Sequence, residues 1–283
     1  MTIKKLTFIV ALLLSFLFPW AAIAMQEEYG DDLLPIFDAH IHYSDDVWEA
    51  FSPDDAIRRL REAGVQRAMV SSSSDEGTQR LYQADPDFVV PSLRPYRKRG
   101  ELQTWMHDES VIPYLRERLQ TYRYAAIGEL HIDSKEANTP VMREVVRLAK
   151  QHGLMLHVHS DAEAIRNIFK QDPHARILWA HAGFEFAETV RELLVLQDKL
   201  WADLSFRYDI FPNGTIMPEW EQLLVEHADR FLLGIDTYTP QRWLQINEVM
   251  QWQRGLLDAL PEDAARLIAY ENGERITRQY DGK

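Results

Sequence analysis

From Ile36 onward the chain alternates short apolar runs with stretches whose apolar residues recur at helical spacing. The runs read as strands at 36–42, 66–73, 88–94, 124–131, 153–159, 176–181, 200–205 and 231–236. Most are unbroken series of Val, Ile, Leu, Ala and Phe rather than strict alternations. That pattern belongs to parallel strands buried on both faces. Between the runs, the spacing predicts helices near 53–63, 75–84, 107–121, 140–151, 161–170, 184–197, 218–227 and 241–257, with a last one near 261–270. Ser52-Pro53, Thr139-Pro140 and Thr239-Pro240 each put an N-cap hydroxyl before a first-turn proline. Ser160-Asp161-Ala162-Glu163 reads as a capping box. Gly64 and Gly153 stand where helices stop.

Eight strand–helix units over about 245 residues suit an α/β protein built as a (β/α)8 TIM barrel, whose usual length is about 250 residues. An open doubly wound sheet would want a glycine-rich phosphate loop after its first strand. Asp38-Ala39-His40-Ile41-His42 stands there instead. No repeat, linker or low-complexity tract divides the chain, so one barrel domain is expected over residues 25–283. In such a barrel, residues at the strand ends converge on one mouth.

The first 24 residues change where that barrel is expected to work. Lys4 and Lys5 precede an apolar run from Leu6 to Trp20, and Ala22-Ile23-Ala24 is a small-x-small cleavage site. This reads as a secretory signal peptide, giving a periplasmic or secreted protein with no stable membrane insertion once the leader is removed. There are no cysteines, which excludes disulfides, thiolate metal sites and a thiol nucleophile. The formal net charge is −13, and losing Lys4 and Lys5 with the leader makes it two units more negative. An acidic surface disfavours nucleic acid as a partner and leaves a small-molecule substrate as the expectation. Oligomeric state is not legible.

The polar residues that close the apolar runs carry the candidate chemistry. His40 and His42 end the first strand and share a face, because alternate strand residues point the same way. Glu129 and His131 end the fourth, His157 and His159 the fifth, His181 the sixth and Asp236 the eighth. Histidines and carboxylates are costly to bury unpaired, so their recurrence behind runs of Val, Leu and Ile points to a shared site. Four histidines and two carboxylates exceed the shell of one tetrahedral zinc with an open position. They suit a pair of metals sharing a bridging carboxylate and an activated water. The expected assignment puts His40, His42 and Asp236 on one ion and His159 and His181 on the other, with Glu129 between them. Asp236 would also take up the proton during attack and pass it to the leaving group. His157 reads as a deeper supporting residue and His131 as a substrate contact. Arg94 after the third strand and Arg207 after the seventh are further substrate-contact candidates, since a guanidinium holds carboxylate or phosphate.

Taken in order, Asp38-Ala39-His40-Ile41-His42, Gly128-Glu129, His159-Ser160-Asp161, Ala180-His181-Ala182-Gly183 and Gly234-Ile235-Asp236 resemble the amidohydrolase superfamily, over about residues 36 to 276. The tail Asn272-Gly273-Glu274-Arg275-Ile276 is similar to that family's closing segment. The resemblance implies one or two divalent ions at the barrel mouth, zinc first and Mn, Ni or Fe as alternatives. Glu129 stands where other branches carry a carboxylated lysine, as in TatD-like members, and no segment is left for an appended β-sandwich. The implied activity is metal-dependent hydrolysis of an amide, ester, lactone or phosphoester. A single-metal decarboxylase, a TatD-like nuclease and a non-catalytic periplasmic binding protein are the alternatives.

Overall fold

The structure is a computed structural model that describes residues 33–281. The expected signal peptide lies outside the described residues. Within the unit Pro35–Lys283, eight strands form one sheet: β1 (Ile36–Ile41), β2 (Val65–Val70), β3 (Val89–Leu93), β4 (Ala126–His131), β5 (Met155–His159), β6 (Ile177–Trp179), β7 (Leu200–Asp203) and β8 (Phe231–Leu232). Each pairs in parallel with its neighbour in sequence. Asp38 bridges to Leu233, and the Ala39 N–H donates to the Leu233 carbonyl at 2.9 Å. These contacts bring β8 back onto β1, and the sheet is a (β/α)8 TIM barrel in one domain.

The local signals act as expected at most helix starts. Ser52 and Thr139 accept from the backbone N–H groups of Asp55 and Met142, both at 3.2 Å. Thr239 does the same for Arg242 at 3.4 Å. After β5 the cap is Asp161 rather than Ser160, its carboxylate accepting from the Ala164 N–H at 2.8 Å. Gly64 and Gly153 close their helices at φ 90° and 67°. Among the described residues, no helix is long and apolar enough to cross a membrane.

The apolar filling lies toward the strand starts. Phe37, Met69, Val90, Met155, Leu178, Trp201 and Leu232 make one buried cluster with Ile276 from the last helix, Asn272–Asp281. Burying each such side chain contributes about 1.5–3 kcal/mol. The sequence reading ended the last helix near residue 270, whereas helix continues over Asn272–Asp281. Asn272 and Gly273 both fit the packing. A Cβ on Gly273 would meet the Phe37 ring at 2.1 Å. The Asn272 amide is fully buried and donates to the carbonyls of Ala228 and Phe231 at 2.7 and 2.8 Å.

The strands also stop short of their predicted ends at β6 and β8. Past β6, His181, Ala182, Gly183 and Phe184 all adopt left-handed backbone, with φ between 47° and 64°. Past β8, Asp236 does the same at φ 56°. Non-glycine residues pay for that conformation, and such strain gathers at functional sites. Gly183 has a second reason to be glycine, since a Cβ there would meet the Trp179 indole at 2.1 Å.

Candidate metal centre

The site is built from buried imidazoles whose outer nitrogens are already committed. His42 Nδ1 donates to the Ser71 carbonyl at 2.7 Å. His181 Nδ1 donates to the Ser205 carbonyl at 2.9 Å. His40 Nδ1 faces the Asp203 carboxylate at 3.1 Å. Each contact fixes the tautomer and leaves Nε2 with a lone pair, the arrangement that prepares histidine for a metal. The His40 and His42 Nε2 atoms lie 3.1 Å apart. Two nitrogens at 2.0–2.1 Å from one zinc are separated by roughly 2.9–3.4 Å, so the pair has the spacing of ligands on a shared ion.

Two carboxylates complete the cradle. Asp236 Oδ1 lies 3.1 Å from His42 Nε2 and 3.8 Å from His40 Nε2, while Oδ2 lies 3.7 Å from His181 Nε2. Asp236 Oδ1 is buried without a hydrogen-bond partner, as a ligand oxygen would be. Glu129 Oε1 lies 2.9 Å from His159 Nδ1 and 3.4 Å from His40 Nε2. Glu129 Oε2 faces His131 Nε2 at 3.1 Å and Arg94 Nη2 at 2.5 Å.

Charge points the same way. Glu129, Asp203 and Asp236 are all buried, with Arg94 beside them. Burial alone would raise the Asp203 carboxyl, but His40 and the hydrogen bond from His157 hold it well below the carboxylate range. Burial also acts to push His40 down, yet the charges of Asp236, Glu129 and Asp203 prevail and raise it well above its ordinary value. The site therefore calls for positive charge at His40 Nε2, and a divalent ion meets that demand without a proton. The donor set of imidazole nitrogens and carboxylate oxygens fits zinc, manganese, nickel or iron.

The structure draws His40, His42, Glu129, His159, His181, Asp236, Arg94 and His131 together. His40 and His42 group with Glu129, His40 and His181 with Asp236, and His159 and His131 with Glu129, while the His159 and His181 ring centroids lie 4.7 Å apart. His131 stacks on His159 with ring centroids 4.1 Å apart, and both line the cavity above the centre. Burial pushes His131 below its ordinary value, so its ring is neutral at neutral pH. His157 lies deeper, its Nε2 3.3 Å from Asp203.

Arg207 is the candidate that the geometry removes from the substrate cavity. Its guanidinium pairs with Asp209 at 2.8 Å, donates to the carbonyls of His181 and Glu185 at 3.2 Å, and lies over Trp220. It is spent on holding the left-handed turn that presents His181. Asp203 and Ser205 are the residues that the sequence reading missed. Asp203 Oδ1 accepts from the backbone N–H groups of His181 and Ser205, and Oδ2 holds both His40 and His157. A signal was present, because Leu200-Trp201-Ala202-Asp203 is another apolar run ending in a carboxylate.

A profile of the TatD related DNase family matches residues 37–193, more than half of the chain. The chain belongs to that family. Among the described residues the chain is a single barrel with no appended sandwich. The match ends before Asp203 and Asp236. Similar solved structures include an uncharacterized TIM-barrel protein from Bordetella bronchiseptica, at 13% identity and TM-score 0.63, covering 88% of this chain and 100% of that one. A candidate 2-pyrone-4,6-dicarboxylic acid hydrolase from Pseudomonas putida follows at 15% identity and TM-score 0.61, covering 87% and 98%. An amidohydrolase from Burkholderia multivorans with bound zinc shares 12% identity at TM-score 0.55, covering 86% and 99%. At these identities the likeness is one of fold. No curated protein matches the chain.

Proposed function

We propose that this TatD-related hydrolase cleaves an amide, ester, lactone or phosphoester bond of a small molecule at the barrel mouth. The observation that carries the reading is the convergence of three prepared Nε2 lone pairs with Glu129 and Asp236 beneath a cavity of about 370 Å³. That size suits a small molecule. Leu102, Tyr96, Phe184, Phe206 and Tyr238 supply an apolar wall, and Arg94 and His131 supply the polar contacts.

His40, His42, His181, Asp236 and Glu129 would hold a divalent ion, which when bound would supply an acidified water and Lewis-acid polarisation of the scissile bond. The chain's own groups do the rest. Asp236 is ionised at neutral pH, because His40 and His42 outweigh its burial and keep it below the carboxylate range. It accepts the proton of the attacking water and delivers it to the leaving group. Arg94 faces the cavity beside Glu129 and sets positive charge where an oxyanion develops. The aromatic wall excludes water from the substrate's apolar part.

The family's name raises DNA cleavage as the second reading. Against it stand the net charge of −13 and a cavity wall of aromatic rings. Arg99 at the rim is itself paired with Asp46 at 2.6 Å. The test is hydrolysis of an ester, lactone, amide and phosphoester panel beside single- and double-stranded DNA, with and without chelator. Chelator-sensitive turnover on the small-molecule panel is expected. Turnover on DNA alone would overturn the small-molecule reading, and carbon dioxide release would identify a decarboxylase.

The Lys4-Lys5 start and the Ala22-Ile23-Ala24 site support export to the periplasm or beyond. Mass spectrometry of the exported protein is expected to find a chain beginning at or near Met25. Retention of residues 1–24 would refute cleavage.

A further inference from the structure

We infer that Arg94 restricts this centre to one divalent ion by occupying the side of Glu129 that a second ion would need. The inference rests on the metal-dependent reading above and deepens it. A carboxylate that bridges two metals gives one oxygen to each, and the ions lie roughly 3.5–4 Å apart. Here the two oxygens of Glu129 have different neighbours. Oε1 faces the imidazole side, with His159 Nδ1 at 2.9 Å, His40 Nε2 at 3.4 Å and His181 Nε2 at 3.8 Å. Oε2 is taken by the guanidinium, with Arg94 Nη2 at 2.5 Å, and also meets His131 Nε2 at 3.1 Å and His42 Nε2 at 3.2 Å. The same Arg94 nitrogen lies 3.1 Å from His42 Nε2. A permanently charged group thus occupies the Glu129 oxygen that a bridging carboxylate would give to a second ion, and arginine cannot relieve the repulsion by losing its proton.

Nor is this guanidinium free to swing aside. Arg94 is 6% exposed and follows directly on β3. Its Cζ lies 4.6 Å from the centroid of the Tyr96 ring, which is itself buried, and Nη1 is 3.5 Å from Ser73 Oγ. Rotation out of the site would leave Glu129 Oε2 without its strongest partner in a buried setting, which is costly. His40, His42, His181 and Asp236 then form the shell of the single ion, with Glu129 Oε1 at its edge. His159 and His131 are left as hydrogen-bonding groups facing the substrate. Arg94 supplies, as a fixed cation, the charge that a second metal would bring.

The test is metal stoichiometry together with Mn(II) electron paramagnetic resonance on stripped and reconstituted full-length protein. Wild type is expected to hold one equivalent with the spectrum of an isolated ion. Arg94→Lys keeps the charge and should behave the same way. Arg94→Met removes it while filling similar space, and should admit a second equivalent with a spin-coupled spectrum. Two coupled ions in wild type would overturn the inference and leave the hydrolase reading standing. So would one isolated ion in an Arg94→Met protein whose circular dichroism is native. No bound metal in wild type would overturn the metal-dependent reading and this inference with it. If Arg94→Met fails to fold, the wild-type count and spectrum still decide.

Discussion

Asp203 offers the most direct test of how the scaffold prepares the metal ligands. Its carboxylate is fully buried and takes hydrogen bonds from His40 Nδ1 at 3.1 Å, His157 Nε2 at 3.3 Å, and the backbone N–H groups of His181 and Ser205 at 3.1 and 3.0 Å. Asp203→Asn keeps the shape and one carbonyl oxygen, which still serves the two backbone groups. The new amide, however, presents N–H donors where Oδ2 was. His40 Nδ1 can no longer donate there, so the ring is driven to the tautomer with its proton on Nε2, and the lone pair meant for the metal is lost. Loss of a partner of this kind weakens metal binding by about 10–100-fold, or roughly 1.4–2.7 kcal/mol. The fold should also weaken by about 3 kcal/mol, the scale of losing one or two hydrogen bonds to a charged group. For a protein of this size that lowers Tm by about 6–12 °C. The assay is competition against a chromophoric chelator at 25 °C, where the variant remains folded, with a thermal melt alongside. Wild-type metal affinity in Asp203→Asn would refute the argument, because His40 would then need no acceptor at Nδ1.

Two further outcomes follow from the same geometry. Asp236→Asn keeps an oxygen for the metal but removes the proton acceptor, so turnover should drop by about 10²–10⁴-fold with metal content largely retained; near-normal turnover would make Asp236 a structural cap. His157 is buried, and burial lowers its pKa from 6.5 to about 4. The unfolded chain therefore binds this proton first as pH falls. Stability is unaffected above about 6.5, declines between 6.5 and 4, and has lost about 3 kcal/mol below that window. His157→Gln should flatten this dependence in urea melts of metal-stripped protein at pH 7 and pH 4.5; an unchanged slope would show that another group controls it.

Arg207 and Asp203 show where reading the chain alone reaches its limit. Asp203 ends β7 and Arg207 follows it, and both are charged residues behind an apolar run. Strand-end position could not say which faces the mouth and which is consumed in supporting it. That depends on the loop after β6, whose carbonyls at His181 and Glu185 capture Arg207 from residues 22 to 26 positions away. The surroundings of His181 likewise depend on residues far away in sequence. His181 is adjacent to His159 in strand order, with ring centroids 4.7 Å apart, and the structure also brings it to 5.1 Å from the His40 ring and 3.7 Å from Asp236 Oδ2.

What the sequence determined by itself was whatever depends on local periodicity and on the cost of burying polarity. Parallel strands buried on both faces leave a run of branched apolar residues, and eight such runs at regular intervals leave little choice but a closed barrel. A histidine or carboxylate ending such a run must be paired, so the ligand types and the mouth on which they converge were legible together. Tertiary structure decided everything that depends on distance between side chains far apart in sequence. It set Arg94 against Glu129 across 35 positions and Asp203 beneath His40 across 163. It also decided that position 273 in the last helix carries no side chain, because Phe37 fills the space beside it. Periodicity reports which face of an element is buried, whereas the partner buried against it is set only when the barrel closes.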